Sequence, residues 1–371
     1  MKNKDFQKLF PSLFLSCFIV IILSAVTISK IGNTQIISAC VRHLIPATSF
    51  SETRKNLSLK LTNGLKNKSE INIDRNDSAD EVDISGLAYT PDDIRKLIDS
   101  AKESYDEKEK GGTITSMSYG EDAANMKSGN ILVKNTTGRN FDIAETLKSD
   151  SPLNPIDKEE ISVLIFHTHT TETYQILDKP SFLKNFSPRS ENEEINMIRV
   201  GKEIAEQLEQ AGIGVIHDTQ IYDHKYSEAY DCSGKAVDGY LKKYPSIQVV
   251  LDVHRDAIQT SATTKIKPVT TINGKKAAQI MIITGCEGGN VTDFPDWEYN
   301  LRFALELQKT AEDMYPTLMR PLFFCNRKYN MYKTRCSVLL EMGSDANTLD
   351  EAAYSGRLIG SVLAKMLSEQ N

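Results

Sequence analysis

The sequence predicts an α/β protein of three layers, a mostly parallel sheet with helices on both faces, preceded by a single N-terminal transmembrane helix. Short apolar runs alternate with amphipathic helical segments over residues 159–371, a pattern typical of strands in a covered parallel sheet. An uncharged apolar run near the N-terminus is about as long as a membrane-spanning helix. Apolar residues make up 40% of the chain and charged residues 25%, which are values of globular proteins.

Length, charge and cysteine content exclude several classes of protein. A chain of 371 residues is long enough to bury a sizeable core, so it is not a small domain held by disulfides. Its 44 Lys and Arg against 50 Asp and Glu give a net charge of −6, without the basic surplus of nucleic-acid-binding proteins. The six cysteines form no CxxC pair, so any metal site must use histidines and carboxylates.

The apolar run over residues 10–28 predicts a membrane anchor. Lysines within residues 1–9 precede it, and the positive-inside rule keeps such a short flank in the cytoplasm. We therefore expect residues 1–30 to form the cytoplasmic flank and anchor, with the rest of the protein extracytoplasmic. A cleaved signal peptide is the alternative, because Ser24 and Ala25 are small enough to precede a cleavage site.

Two segments separate the anchor from the main domain. Residues 51–82 are polar, with many Asn, Ser and Lys and no sustained apolar period, and we expect residues 31–82 to form a flexible linker. Residues 83–158 are expected to form a small subdomain or an N-terminal extension of the main fold. Within them, Thr90-Pro91 predicts the start of a helix that runs to about Tyr105, and residues 131–133 are a candidate strand.

Residues 159–371 are predicted to form the catalytic domain. Amphipathic helices separate its apolar runs, and a last helix is expected over residues 349–367. In such folds, ligands bind at the carboxyl ends of the strands. The runs predicted as strands are 161–166, 213–217, 247–253, 278–284 and 337–342.

Histidines and a glutamate follow two of these predicted strands. His169 and Glu172 stand three residues apart in HTHTTETY, a spacing that lets one imidazole and one carboxylate bind a single zinc ion. His254, at the end of VVLDVHRD, is the expected third ligand. Three protein ligands leave the fourth position to water, as in catalytic zinc sites. The second ligand stays open, because three other glutamates could reach the same ion: Glu191, Glu193 and Glu194.

Glu341 and Arg255 are the candidate catalytic residues. Glu341 is the single carboxylate in the otherwise apolar run VLLEM, where an unpaired charge is costly, so either a function or a salt bridge must explain it. We expect it to act as general base. Arg255 could stabilise an oxyanion or bind a substrate carboxylate, or it could pair with Asp252 or Asp256. His167 has either a structural role or a supporting role beside the ligands.

A series of segments from about Lys134 to the C-terminus resembles the stage II sporulation protein P family of endospore-forming bacteria. The segments are HTHTTETY, NMIRVGKEIAEQLEQAGIGVIHD, YLKKYPSIQVVLDVHRDAI, WEYNLRFALELQ, RKYNMY and LLEMGSDANTLDEA. They occur in order and with similar spacing, and ILVKNTTGRNFDIAETL resembles the region just before the family's catalytic domain.

The resemblance implies a fold like that of the N-acetylmuramoyl-L-alanine amidases and a zinc-dependent hydrolase. It implies cleavage of the N-acetylmuramoyl-L-alanine amide bond and of peptide crosslinks in peptidoglycan during engulfment. It also implies a place in the mother-cell membrane, facing the intermembrane space, with stage II sporulation proteins D and M as partners.

The resemblance also implies roles for individual residues. His169 and His254 would bind zinc, and Glu341 would be the catalytic carboxylate. Related amidases take a glutamate ligand from the helix after the first strand, where this chain has Asn192 between two glutamates. We retain Glu172 as the expected second ligand because its spacing from His169 requires no loop to fold back.

Two other functions remain compatible with the sequence. One is a non-catalytic protein that binds the cell wall or recruits partners on the same fold. The other is a zinc carboxypeptidase that trims stem peptides, which the spacing of His169 and Glu172 alone would permit.

Overall fold

The computed structural model describes residues 84–369. The predicted anchor, residues 1–30, and the predicted linker, residues 31–82, lie outside the described residues. Within residues 84–369, no helix combines the length and the apolar character needed to cross a membrane. The described residues belong to one compact unit, Glu81–Asn371.

A large mixed sheet forms the centre of this unit. Its strands are β2 Met126–Ser128, β3 Ile131–Asn135, β4 Ile161–Phe166, β6 Gly214–His217, β7 Val249–Asp256, β11 Ile280–Gly285, β12 Leu322–Cys325 and β13 Cys336–Ser344. The eight strands lie in the order β2-β3-β12-β11-β13-β7-β4-β6. Each of the apolar runs predicted as strands is a strand in this sheet, and the candidate strand at residues 131–133 is β3.

Seven strands of the sheet form two parallel groups that meet antiparallel to each other, and β2 at the edge pairs antiparallel with β3. Strands β6, β4, β7 and β13 are parallel neighbours, as are β11, β12 and β3, while β11 and β13 pair antiparallel. The prediction of a mostly parallel sheet is therefore confirmed within each group, but the sheet as a whole is mixed. Parallel neighbours require a long crossover. Strand β11 instead follows directly on β10, Lys275–Ala278, without an intervening helix.

Helices cover both faces of the large sheet, as predicted. They are α1 Asp92–Ser104, α2 Ile143–Lys148, α3 Met197–Gln210, α4 Ala229–Lys243, α5 Trp297–Met314 and α6 Leu349–Ser368. Alternation along β4 separates the two faces: Val163 and Ile165 pack in the main core with α3, α5 and α6. Leu164 and Phe166 pack on the opposite face against Val237 of α4. The sheet therefore has a layer of helices on each face.

A second sheet, which the sequence analysis did not predict, packs beside the first. It contains β1 Lys110–Met117, β5 Ser181–Leu183, β8 Gln259–Ser261, β9 Thr264–Ile272 and β10. The order is β10-β9-β1-β5, and β8 pairs with β9. The segment 83–158 thus contributes β1 to this sheet and β2 and β3 to the large one.

Helices α3 and α6 pack closely because glycines face α3 along α6. A Cβ atom at Gly356 would lie 3.0 Å from the Glu203 Cβ, and one at Gly360 would lie 2.9 Å from the Gln207 Cβ. Glu203, buried between the helices, pairs with Arg199 at 2.6 Å and with Arg357 at 2.8 Å. These ion pairs satisfy charges that would otherwise be costly in the core.

Candidate active site

The carboxyl ends of β4, β7 and β13 bring the predicted site residues to one edge of the large sheet. His254 on β7 and Glu341 on β13 are register partners in a parallel pair, so both side chains project from the same face. His169 lies on the loop that follows β4. Its ring centroid is 5.3 Å from that of His254, with the rings nearly perpendicular at 87°.

Glu172 lies beside this histidine pair. Its Oε2 atom is 3.8 Å from Nδ1 of His254 and accepts a hydrogen bond from the backbone N–H of Arg255 at 3.2 Å. Its side chain is only 7% exposed. Burial raises the pKa of Glu172. The structure therefore brings together the three residues that the sequence analysis selected as metal ligands.

Hydrogen bonds from the strand ends shape the loop that carries His169 and Glu172. Asp252 on β7 accepts from the backbone N–H of Thr168 at 2.8 Å and from its hydroxyl at 2.7 Å. At the end of the loop, the N–H of Gln175 donates to Asn347 O, and the N–H of Leu349 donates to Gln175 O, both at 2.9 Å. The loop is thus fixed to β7 at one end and to the start of α6 at the other.

The cluster carries an excess of buried negative charge. Nε2 of His254 lies 2.7 Å from Asp252 Oδ1, although the angle is too poor for a hydrogen bond. Burial lowers the pKa of His254, but Asp252, Glu172 and Glu341 together outweigh burial and raise this pKa to about 9. Burial also lowers the pKa of His169, to about 4. Such a set of carboxylates around imidazoles is electrostatically suited to a cation.

Glu341 is half-buried, and its Oε2 atom is buried without a hydrogen-bond partner. Burial, followed by the nearby charge of Asp256, raises the pKa of Glu341 to about 8. A carboxylate held in this way can accept a proton near neutral pH, which is the property a general base requires.

The donor set fits zinc by chemistry and burial. Within residues 84–369, no group of three or more His, Cys, Asp and Glu side chains already has metal-ligand spacing. Asp252 contacts His254, and the Arg189 guanidinium lies 3.6 Å from Glu172 Oε1. Nδ1 of His169 is buried and has no hydrogen-bond partner, as expected of an imidazole nitrogen available to a metal.

Arg255 mainly contacts backbone carbonyls. Nε donates to Thr173 O at 2.8 Å, Nη2 to Pro188 O at 2.6 Å and Nη1 to Asp256 O at 3.3 Å. Neither Asp252 nor the Asp256 carboxylate forms an ion pair with Arg255 among those identified in the described part of the chain. Its predicted contact with an oxyanion or a substrate carboxylate stays a prediction.

The alternative glutamates differ from Glu172 in their exposure and in their contacts. Glu191, Glu193 and Glu194 are exposed, whereas Glu172 is buried. Glu191 contacts the exposed His224, with 3.1 Å between Oε1 and Nδ1.

His167, at the start of the loop that carries His169, contacts the backbone of β7 and a second histidine, His217. Its Nδ1 is 2.8 Å from Val253 O, and its Nε2 is 2.9 Å from Nε2 of His217. Burial lowers the pKa of both rings, to about 4 for His167 and about 3 for His217, so both are neutral at physiological pH. Gly201 of α3 leaves room for them, because a Cβ atom there would lie 2.5 Å from each Nε2.

The structure adds aromatic residues that the sequence analysis did not select. The Tyr226 ring stacks on His169 with centroids 4.5 Å apart and planes 3° apart, yet Tyr226 is 65% exposed. Tyr230 stacks between His254 and Tyr329, with centroids 6.3 Å and 5.0 Å away. These residues lie in or near α4 and in a late loop, so no spacing in the sequence connects them to the histidines.

Arg189 was also not selected. Its Nη1 atom lies 2.5 Å from Asp223 Oδ2, and its guanidinium stacks 5.0 Å from the centre of the Tyr226 ring. Asp223 in turn accepts from the Thr171 hydroxyl at 2.6 Å. Arg189 stands in a polar loop whose sequence gives no signal of this role.

Comparison with solved structures finds distant likenesses to cell-wall amidases. The N-acetylmuramoyl-L-alanine amidase AmiC2 of Nostoc punctiforme is 11% identical, with a TM-score of 0.32 over 58% of this chain and 96% of that chain. The CwlD amidase of Clostridioides difficile, solved in complex with the GerS lipoprotein, is 11% identical, with a TM-score of 0.36 over 55% and 96%. The catalytic domain of CwlV from Bacillus (Paenibacillus) polymyxa var. colistinus is 11% identical, with a TM-score of 0.31 over 56% and 98%.

Sequence comparison gives a closer relationship. Stage II sporulation protein P of Bacillus subtilis (strain 168) is 28% identical over 235 residues, which are 60% of this chain and 55% of that protein. The chain thus matches little more than half the length of this curated relative. The family model of stage II sporulation protein P matches residues 60–364, most of the chain. The chain therefore belongs to the stage II sporulation protein P family.

Proposed function

We propose that this protein is a membrane-anchored, zinc-dependent peptidoglycan hydrolase that acts in sporulation. It would cleave the N-acetylmuramoyl-L-alanine amide bond and peptide crosslinks on an amidase-like fold. The observation that carries the proposal is the pairing of Glu341 with His254 in register, with His169 and Glu172 beside them. Membership of the family supports the role in sporulation.

In this proposal His169, Glu172 and His254 hold the zinc ion. A bound zinc ion supplies a water nucleophile of lowered pKa and polarises the scissile carbonyl. Glu341 accepts the proton of the attacking water at its carboxylate and returns it to the leaving amine. Asp252 contacts His254 and orients its ring, as carboxylates beside metal-binding histidines do.

Arg255 holds the loop from Thr173 to Pro188 through its contacts with the two carbonyls. These two contacts and the one with the Asp256 carbonyl use three N–H groups of the guanidinium, which leaves N–H groups available for an oxyanion. Its role as a substrate contact is part of the proposal.

The anchor and linker complete the proposal. The helix predicted over residues 10–28 would hold the protein in the mother-cell membrane, facing the intermembrane space, and the polar linker would let the domain reach nearby wall. Stage II sporulation proteins D and M are the proposed partners, and peptidoglycan is the proposed substrate.

Digestion of purified peptidoglycan by the full chain, with and without a chelator, tests the proposal. Fragment masses should show free stem peptides of full length and cleaved crosslinks, and both products should disappear with chelator and return with added zinc. Shortened stem peptides alone would indicate a carboxypeptidase. Binding to the wall without any cleavage would indicate a non-catalytic protein, and either result overturns the proposal.

A further inference from the structure

A cavity of about 270 Å³ lies on the large sheet next to Glu341. Its lining includes Tyr119, Lys134, Met281, Arg320 and Phe323. None of these residues belongs to the metal and base cluster described above.

The cavity shares the face of the sheet that carries the base. Met281 on β11 is the register partner of Glu341 on β13, and register partners in an antiparallel pair project from the same face. Phe323 on β12 partners Ile283, which stands two residues after Met281 and therefore also shares this face. Lys134 on β3 is in turn the partner of Phe323. The strand order therefore extends this face from Glu341 through Met281 to Lys134.

Two cations and apolar side chains line the cavity, and one of the cations, Arg320, is paired with a carboxylate. Arg320 is 8% exposed, and its Nη1 lies 3.0 Å from Oδ2 of Asp256, which stands two residues after His254 on β7. The Arg320 guanidinium also stacks 4.9 Å from the centre of the Tyr119 ring, so this side chain is held rigidly beside the site. Lys134 is exposed and makes no ion pair identified within residues 84–369.

Size and charge limit what the cavity can accept. Pockets for small ligands commonly measure about 300–1,000 Å³, so this cavity is at the small end and suits a group of one or two amino acids. The floor of Met281 and Phe323 suits an aliphatic part, and the ammonium of Lys134 suits a carboxylate.

We propose that this cavity binds a short peptide segment with a free carboxylate, such as the part of the stem peptide that follows the cleaved bond. Lys134 contacts the carboxylate, while Met281 and Phe323 contact the aliphatic part. Arg320 is a positioning residue that pairs with Asp256 and stacks on Tyr119 at the cavity wall. The identity of the ligand as a stem peptide rests on the proposed function, whereas binding of an acidic peptide does not.

Calorimetric titration of the full chain with the dipeptide L-alanyl-D-glutamate tests the inference without measuring cleavage. The diamide of the same dipeptide, which lacks both carboxylates, is the ligand control. We expect the dipeptide to bind more tightly than its diamide. Lys134→Gln should weaken binding of the dipeptide about two- to fivefold, as loss of an exposed charge pair does, and leave that of the diamide unchanged. Met281→Trp should abolish binding of both because it fills the cavity.

Lys309→Gln is the matched control variant, because it removes the same charge from an exposed position of α5, on the opposite face of the sheet. Absence of dipeptide binding to the folded full chain overturns the inference, as does equal binding of the diamide or equal affinity in Lys134→Gln. If the dipeptide binds as expected but peptidoglycan is not cleaved, the inference stands and the proposed function fails.

Discussion

Glu341 and His254 stand side by side as register partners on β13 and β7, the two neighbouring strands at the centre of the active edge. Because the sheet sets their separation, neither residue depends on a mobile loop to meet the other. The oxygen of Glu341 that lacks a hydrogen-bond partner is therefore held close to the zinc site that we propose.

We expect Glu341→Gln to lower the rate of peptidoglycan cleavage by about 10²–10⁴-fold, because the amide cannot accept a proton from water. The substitution keeps the shape of the side chain, so zinc content and thermal unfolding should match the wild type. Release of labelled wall fragments measures the rate. Glu191→Gln, an exposed position, is the control and should retain full activity. A Glu341→Gln variant of normal activity would contradict the assignment of the base.

The proposed ligands predict the metal content of variants. We expect His169→Ala, His254→Ala and Glu172→Gln to reduce bound zinc, measured by elemental analysis of the purified full chain. Loss of one of three protein ligands weakens zinc binding strongly because the ion depends on few contacts.

Glu191→Gln, Glu193→Gln and Glu194→Gln provide the matched comparison, since each removes one exposed carboxylate that the sequence offered as an alternative second ligand. Zinc content should remain normal in these three. If one of them loses zinc while Glu172→Gln retains it, the second ligand has been assigned to the wrong glutamate.

Tyr226 covers one side of His169 while remaining exposed, so we expect it to affect the orientation of this ligand and the entry of substrate. Removing a stacked aromatic pair costs about 0.5–1.5 kcal/mol, so Tyr226→Ala should lower cleavage about two- to twelvefold. Tyr299→Ala on α5 removes another exposed tyrosine, which stacks with Arg335 away from the histidines. Equal activity of the two variants would show that the stacking on His169 has no role in cleavage.

Arg357 lies completely buried against Glu203, and its removal leaves that carboxylate with Arg199 alone. Breaking a buried ion pair costs about 3–5 kcal/mol. Because Arg199 still pairs with Glu203, we expect Arg357→Ala to lower the free energy of unfolding by about 3 kcal/mol. Denaturant unfolding of the full chain measures the loss. Lys365→Ala breaks the exposed pair with Glu369 on the same helix and should change the free energy of unfolding by less than about 0.5 kcal/mol.

Asp178 predicts a dependence of stability on pH. Burial raises the pKa of Asp178, but hydrogen bonds from Lys267 and Lys276 outweigh burial and hold it below the ordinary value of 3.8. A carboxyl group with a lowered folded-state pKa stabilises the protein above its unfolded-state pKa and loses this effect as pH falls through the folded-state pKa. Asp178→Asn should therefore destabilise the protein near neutral pH, and the difference from wild type should shrink as the pH falls below the ordinary pKa of 3.8. Denaturant unfolding near neutral pH and below pH 3.8 measures the difference in the free energy of unfolding between the variant and the wild type. An equal difference at both pH values would exclude the lowered pKa of Asp178 as its cause.

Most of the apolar strands could be predicted because they are buried on both faces and read as continuous runs, as β4 and β13 do. Strand β6 is only half-buried but also reads as an apolar run. The second sheet could not, because β9 carries Lys265 and Lys267 and reads as a polar segment. These lysines are buried only because carboxylates distant in sequence meet them: Asp345 contacts Lys265, and Glu351 lies 2.9 Å from Lys267. The local sequence around β9 does not indicate such ion pairs.

The positions of His169, His254 and Glu341 followed from a single rule, that parallel strands present their carboxyl ends at one edge. The rule gives no information about loops, which explains why Arg189 and Tyr226 were not selected. The antiparallel direction of β11 could not be predicted for the same reason, because it depends on the connection of β11 to β10 rather than on the residues of β11.

The backbone bonds between Gln175 and the residues just before α6 have a consequence for synthesis of the protein. The segment with His169 and Glu172 is synthesised early. The residues that hold it, Asn347 and Leu349, and the proposed base, Glu341, follow much later in the sequence. A nascent chain therefore lacks an assembled site, and we expect the cleavage that we propose to begin only after this C-terminal portion has been synthesised and has folded.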